Sequence, residues 1–553
     1  MSSVFALYGF LSVLLHVLEL AAQSVLFGSV AFLVLAVSPL AHISTAHAAL
    51  LRASSLTLVR ISAWILCAAT LVATALNAAV LAESLQIPWR DVLPARFAIA
   101  GAIKALAAAA AAVAARRAHE PRLVILALLT VAILVILAAT LATTHAAARP
   151  VLEAPLLIAT ALHQAGAALW LGGLPCFYRA LRLVRDDPAS RAWLGRRYSS
   201  ISIAGVALIV AGASILAIGF IGSWGAAYGT PYGAMAETKG FLLVLLLTIG
   251  CANFFAVRRF GKRTSDVARV RRFVEIEMAV AVAVLALAAS MTSAPPAVDL
   301  AGEEVTYAEL VERLTPKAPR LQTPDASSLA IATLQRKLED DAARAGLDSR
   351  PRAYTPGSGE LPPRNAQDIA WSEYNHHWAG LLVLLIGIFA LLERAGLGWA
   401  RHWPLLFLGL ALFILLRADP EVWPLGHIGL IESLKDPEVV QHRLFAILTA
   451  AFAWFEWRVR TGRFRSPNLA LFFPALMVVG GILLLAHTHA INDVKDQVLI
   501  EWSHLPLGVL GITGGAARWL QLRAESSEGR WAGWVWPVCL VLTGLVLLNY
   551  REA

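Results

Sequence analysis

Four short stretches in the last third of the chain set histidine beside an apolar run: NHHW (375–378), VVQHR (439–443), AHTHA (486–490) and EWSH (501–504). Imidazole is a common ligand for copper, zinc and iron, and side chains from several helix ends can complete one coordination shell. His376, His377, His442, His487, His489 and His504 are therefore candidate metal ligands. Glu501 and His504 stand i, i+3, which puts them on one face of a helix that begins early enough. Glu501 or Asp493 is then either a further ligand or an acceptor that orients an imidazole. A single histidine at the polar end of a membrane helix needs no special explanation. Four adjoining ends that each present histidine point to a site.

The first half holds a second set. His145 and His163 flank one short loop, and His16 falls in the middle of the first apolar run. Ionisable groups inside a membrane are expensive and mark functional positions. LHQAGAALWLGGLP (162–175) carries Ala165, Gly166, Gly172 and Gly173 at helical spacing, which suits close helix packing around His163. Lys239 stands near the end of an apolar run and can snorkel to the interface. Glu277 lies a short way into another and is expected to pair with Arg271 or Arg272. Met235 and Met291 are soft thioethers of the kind that suit Cu(I).

Long apolar helices must position these residues. The chain has 553 residues, 58% hydrophobic and 15% charged, with mean hydropathy +0.67; soluble domains carry about 25% charge. Many runs reach the roughly 20 residues that cross a bilayer as a helix. They do not alternate as barrel strands do, so the backbone can be satisfied only in helices. The expected fold is an all-α, polytopic membrane bundle of about 14 spans. These fall near 4–38, 56–82, 95–115, 122–144, 153–178, 200–221, 237–257, 274–293, 377–393, 403–417, 441–459, 468–488, 503–521 and 532–549. The first run lacks a positive leader region and a small-residue cleavage site, and reads as a retained helix.

Basic clusters occupy alternate loops, at Arg116/Arg117/Arg122, 179–197, 258–272, Arg394/Arg401, 458–465 and Arg518/Arg523/Arg530. Fourteen spans put all of them on the cytoplasmic side and both termini in the periplasm. The organisation is then an eight-helix block (1–293), a periplasmic insert (294–375) and a six-helix block (376–553). The insert reads as an extended linker with one or two short helices, the clearest over 326–345. Ten of the fourteen histidines fall on the outer face or inside the membrane; His42, His47, His119 and His402 fall near the cytoplasm.

The net charge of +9 comes from these topogenic clusters, which face lipid and water, so no nucleic-acid partner is implied. Cys67, Cys176, Cys251 and Cys539 are scattered and form no CxxC pair, which argues against a disulfide framework or zinc ribbon. The P-loop, DKTGT, CxxCH and HExxH motifs are absent, as is any clear Ser/His/Asp arrangement, which favours transport or metal handling over catalysis.

THAAARPV (144–151) followed by ALHQAGAALWLGGL (161–174) resembles the central signature of the copper resistance protein D family. Tyr232, Lys239 and Asn253 fit its next conserved stretch. Glu277 and Pro295/Pro296 fit its closing helix. The resemblance spans roughly residues 1–300, and the second block resembles the C-terminal extension of the family's long members. It implies copper, as Cu(I) or Cu(II), handled at the bacterial inner membrane, often beside a periplasmic CopC-like protein. The family's histidines map onto His145, His163 and, less closely, His16. With five methionines and no Met-rich segment, the chain departs from a methionine relay. The leading expectation is a copper-binding transporter. Two alternatives stand beside it: a b-type haem redox protein, such as a cupric or quinone-linked reductase, and a non-transporting copper assembly or sensor protein. Haem-based electron transfer across the bilayer calls for histidine pairs at two depths, whereas most of these histidines crowd one face.

Overall fold

The structure, a computed structural model, describes residues 8–116, 122–150, 152–258, 265–324, 366–420, 422–426, 428–434, 437–486, 494–524 and 527–552. It is all-α, and the described residues contain no β-sheet. Among the described residues, eleven helices are long and apolar enough to cross a membrane. Three further helices occupy the remaining expected positions: Pro437–Arg460, Phe472–Leu485 and Val494–Arg523. The first and third carry ionisable residues deep in the sequence of the helix, such as Arg443, Glu456 and Glu501, which break their apolar windows. The second is short.

The chain divides into two compact units. The first is built on Met1–Glu304 and the second on Val305–Leu484 and His489–Ala553. The boundary thus falls within the insert, whose opening residues join the first unit and whose later residues join the second. The expected helix at 326–345 lies outside the described residues. A different segment of the insert, Tyr307–Leu314, forms a helix with a complete Thr306/Glu309 capping box.

In the first unit, α1 (Tyr8–Phe32) runs through a π-helical turn at Leu33–Val37. It is followed by α2 (Thr45–Leu85), α3 (Arg96–Ala114), α4 (Arg122–Leu141), α5 (Glu153–Ala167), α6 (Pro188–Phe220), α7 (Pro231–Val257) and α8 (Ser265–Met291). The small residues after His163 do what their spacing predicts. α5 passes into a π-helical turn at Ala168–Gly172, and there Gly172 lies against the backbone of Ser24 on α1. Gly28 faces the Gly172 backbone in return, and a Cβ at either position would strike main-chain atoms. Backbones this close cannot be held apart by larger residues, and packing of this kind is what drives association between helices in lipid. Beyond the turn the chain continues as helix over Leu174–Leu183.

In the second unit, the insert helix α9 (Tyr307–Leu314) precedes α10 (Ala366–Arg394), α11 (Leu406–Arg417), α12 (Pro437–Arg460), α13 (Phe472–Leu485), α14 (Val494–Arg523) and α15 (Ser527–Leu548). Trp403, Phe407, Phe452, Phe473 and Trp536 form an aromatic core with Ile386 and Ala390. The Arg460 guanidinium lies 4.8 Å from the Trp403 ring and 5.2 Å from the Trp536 ring. It also donates at 2.8 Å to both Glu456 and Glu393. Glu309 on α9 accepts from Lys495 of α14 (2.9 Å). That bond, with one from the Thr306 backbone, holds the Glu309 carboxyl down at about 2.

The α1–α5 contact generates a direct test. Gly172→Val should destabilise the protein by at least about 1–3 kcal/mol through overpacking, read as an earlier thermal transition in detergent. Gly240→Ala on α7, where nothing lies within 4 Å of the added carbon, should stay within about 0.5 kcal/mol of wild type. Equal transitions for the two variants would mean that the crossing is looser than described.

Candidate functional site

Inside the first unit a set of polar side chains from four helices meets in an otherwise apolar interior. Glu19 on α1 accepts from the ammonium of Lys104 on α3 at 3.0 Å, and both side chains are about nine-tenths buried. His16, one turn earlier on α1, sets Nδ1 3.6 Å from the same Glu19 oxygen. One turn further on, Gln23 donates to Gln164 of α5 (3.1 Å) and accepts from the Thr140 hydroxyl of α4 (3.0 Å). Beside Gln164, His163 sets Nδ1 3.1 Å from the carbonyl of Ile209 on α6. Lys239 of α7 lies within electrostatic reach of the His163 ring.

Local sequence explains this order. His16, Glu19 and Gln23 recur at three- and four-residue steps and so occupy one helical face. Gly212 on α6 meets the backbone of His163, so α5 and α6 pack closely enough for the imidazole to reach a carbonyl that helical bonding leaves one lone pair. Glu19 and Lys104 were not singled out by the sequence reading. Each is a lone charge within a long apolar run, the same signal that drew attention to His16, Lys239 and Glu277.

His145 stands on a short 3-10 turn after α4 has ended, at His145–Ala148. Its Nε2 lies 3.3 Å from the Thr292 carbonyl, and its ring meets the edge of Phe220. No direct contact links His145 to His163 among the described interactions. The expected pairing of Glu277 with Arg271 or Arg272 is not made. Glu277 is buried and accepts from Asn253 at 2.8 Å. Arg272 instead pairs with Glu275 at 2.7 Å, three residues on, and Arg271 donates to Tyr178 at 3.2 Å. The reason is helical geometry: Glu277 lies two residues beyond Glu275 and so points to the other side of α8. Met235 is buried in the first turns of α7.

In the second unit the candidate histidines lie inside their helices rather than at the first residue. α10 and α14 start well before the expected positions, so His376 and His504 each lie almost three turns in. They flank one phenol: His376 stacks on Tyr550 at 3.8 Å, and His504 meets the same ring edge-on at 5.8 Å. The Tyr550 hydroxyl donates to Glu552 (2.8 Å), which the Ser372 hydroxyl also reaches. Glu501, one turn before His504, is 5% exposed and has no hydrogen-bond donor among the described residues. His442 on α12 sets Nδ1 2.7 Å from Asp419. His487, His489 and Asp493 lie outside the described residues.

The ring nitrogens divide the histidines into two kinds. An imidazole nitrogen that faces a carbonyl or carboxylate must carry the proton, which leaves the lone pair on the other nitrogen. His163, His376 and His504 bond through Nδ1 to the carbonyls of Ile209, Ser372 and Ile500, and His442 bonds through Nδ1 to a carboxylate. In their neutral forms all four carry the lone pair on Nε2, and His145 carries it on Nδ1. His377 is different. Its Nε2 faces the Tyr550 carbonyl at 2.8 Å, while its Nδ1 accepts from the Arg320 backbone N–H at 2.7 Å. Both nitrogens are used in tying the insert and the chain's last residues to α10. Among the described residues, no group of three or more His, Cys, Asp or Glu side chains is close enough to hold a metal ion.

The Glu19–Lys104 pair can be tested by a double-mutant cycle. Glu19→Gln or Lys104→Met alone leaves one buried charge without its partner and should cost about 3–5 kcal/mol. The double variant should recover most of that loss in a denaturation titration. Losses that simply add would show that the two groups do not act as a pair.

Comparison with known proteins finds partial similarity. The family model described as Copper resistance protein D matches residues 192–291, which hold α7, α8 and nearly all of α6. The copper transport protein CutJ of Bacillus subtilis is 28% identical over 153 residues, 27% of this chain and 27% of that protein. The match therefore spans about a quarter of that relative's length. No solved structure matches. Over residues 192–291, the chain is thus similar to the copper resistance protein D family.

Proposed function

We propose that this protein is a multi-pass protein of the bacterial inner membrane that binds copper at its periplasmic face and carries it inward through the first unit. The observation that carries the reading is the polar line of His16, Glu19, Lys104, Gln23, Thr140, Gln164 and His163, of which Glu19, Lys104, Gln23 and Thr140 are buried. A bundle held together by packing alone has no use for an ion pair in its interior, where each charge costs solvation. The family match and the relative's printed name supply copper as the ion.

The chemistry follows from the side chains. Glu19 balances the charge of Lys104 at rest. A copper ion that enters beside His16 binds the Glu19 carboxylate as Lys104 releases its proton, so for Cu(I) the charge beside Glu19 stays balanced. His163 presents an Nε2 lone pair as the next donor, and its ring is fixed by the Ile209 carbonyl. At the periplasmic face, His442 and His504 receive the ion, with Glu501 as an anionic oxygen donor one turn before His504; His487 and His489, which lie outside the described residues, are the further proposed donors. Asp419 orients the His442 ring and raises its basicity, the part that carboxylates play behind metal-bound imidazoles. His376 is a further donor beside Tyr550, and His377 has a structural part. In this reading fourteen helices span the membrane, both termini lie in the periplasm, and a CopC-like protein delivers the ion.

Two measurements test the proposal. Copper flux into proteoliposomes should fall at least about tenfold in His163→Ala and in Glu19→Gln, since each removes an oriented donor or its counter-charge. Bound copper by elemental analysis should fall when His442, His487, His489 and His504 are replaced together. Asp419→Asn alone should weaken copper binding about 10- to 100-fold. Stoichiometric binding without flux would make the protein a copper-holding assembly or sensor component. Iron in place of copper would point to haem.

A further inference from the structure

The arginine-rich end of the first unit holds a cavity of about 820 Å³ that the copper reading does not use. Five arginines converge on it from different parts of the chain: Arg179 and Arg182 near the end of the helix Leu174–Leu183, Arg185 in the following loop, Arg191 in the first turn of α6 and Arg271 on α8. Asp186 is the one carboxylate among the described lining residues, and it already pairs with Arg185 at 3.3 Å. The neighbouring Asp187 caps α6 and pairs with His47 at 3.3 Å.

Orientation of a membrane protein needs positive charge on this side but does not need it gathered around a cavity. Solvated arginines would lie further apart, because like charges crowded at a low-dielectric boundary repel one another. Arg191 shows the effect most clearly. It is 4% exposed and donates to the Arg185 carbonyl at 2.6 Å, while its Nε has no hydrogen-bond partner among the described residues. A buried guanidinium with an unmet donor, set among further guanidiniums, calls for an anion with several oxygens.

Apart from Ser54 and Asp186, the rest of the wall is apolar, with Leu50, Leu181 and Val267 beside the arginines. A free phosphate would fill a small part of such a volume and would leave these side chains against water. An amphiphile satisfies both halves. We propose that this cavity binds the headgroup of an anionic phospholipid, with the phosphate among Arg182, Arg185 and Arg191 and the glycerol and upper acyl carbons against the leucines and Val267. Basic pockets between membrane helices on the cytoplasmic side suit such headgroups.

The test uses full-length protein in a nonionic detergent, with its thermal transition followed as phosphatidylglycerol, phosphatidylcholine or sodium phosphate is added. Phosphatidylglycerol should raise the transition temperature saturably, and the other two should not. Arg182→Gln/Arg185→Gln, two exposed positions whose loss should not impair folding, should weaken the apparent affinity about 25-fold, near fivefold per arginine. Arg191→Gln should weaken it further where that variant folds. Arg90→Gln, an exposed arginine outside the cavity, removes one positive charge, as Arg191→Gln does, and should leave the affinity unchanged. Equal effects of the two lipids, a full effect from sodium phosphate alone, or an unchanged affinity in the double variant would each overturn the proposal. Copper flux and copper content do not enter the readout, so its failure is separate from any failure of the copper reading.

Discussion

A charge inside an apolar helical bundle is stable only beside a counter-charge or a full set of hydrogen bonds. The Glu19–Lys104 pair in the first unit meets that requirement directly. α1 and α3 must hold their register for the carboxylate and the ammonium to meet at 3.0 Å, and the neighbouring polar groups are arranged around that contact. His16 shares the carboxylate, and Gln23 extends the polar face of α1 toward Thr140 and Gln164. Breaking such a pair leaves a bare charge in low dielectric, which is far more costly than never having had the pair. In the proposed reading, a cation takes the ammonium's place at Glu19 only as Lys104 gives up its proton, which keeps the charge balanced.

The second unit solves the same problem differently. Arg460 lies between two tryptophan rings and bonds to two glutamates, so its charge is spread over faces and oxygens that all belong to the core. Such an arrangement is fully internal and fits a structural lock between α10, α12 and α15. Glu501 stands at the other extreme, buried without a donor among the described residues.

The tautomers refine what counts as a candidate donor. His163, His376, His442 and His504 each spend Nδ1 on an oxygen and hold the lone pair on Nε2. His377 spends both nitrogens and holds two chain segments to α10. Adjacent residues of the same type thus fall into different roles, and only the positions of the Tyr550 carbonyl and the Arg320 amide separate them.

Much of the architecture was legible in the residues. The apolar runs and the alternating basic loops led to an all-α membrane bundle with helices at all fourteen expected positions, because length and hydropathy are local properties. The glycines after His163 announced a close crossing for the same reason. The resemblance to the copper resistance protein D family rested on motifs of a few residues each. Pairings were not legible, since they depend on which helices become neighbours. Glu277 stood near two arginines in sequence, yet it bonds to Asn253 of α7, because α8 turns its face that way. Glu19 and Lys104 lie 85 residues apart, and nothing local links them. The length of α10 and α14, which carries His376 and His504 inward from the helix ends, and the gathering of five arginines around one cavity were likewise decided by packing between distant segments. The sequence by itself determined which residues are costly to bury, and tertiary structure alone decided what each of them meets, since partners in a bundle are set by helix contacts that no local pattern encodes.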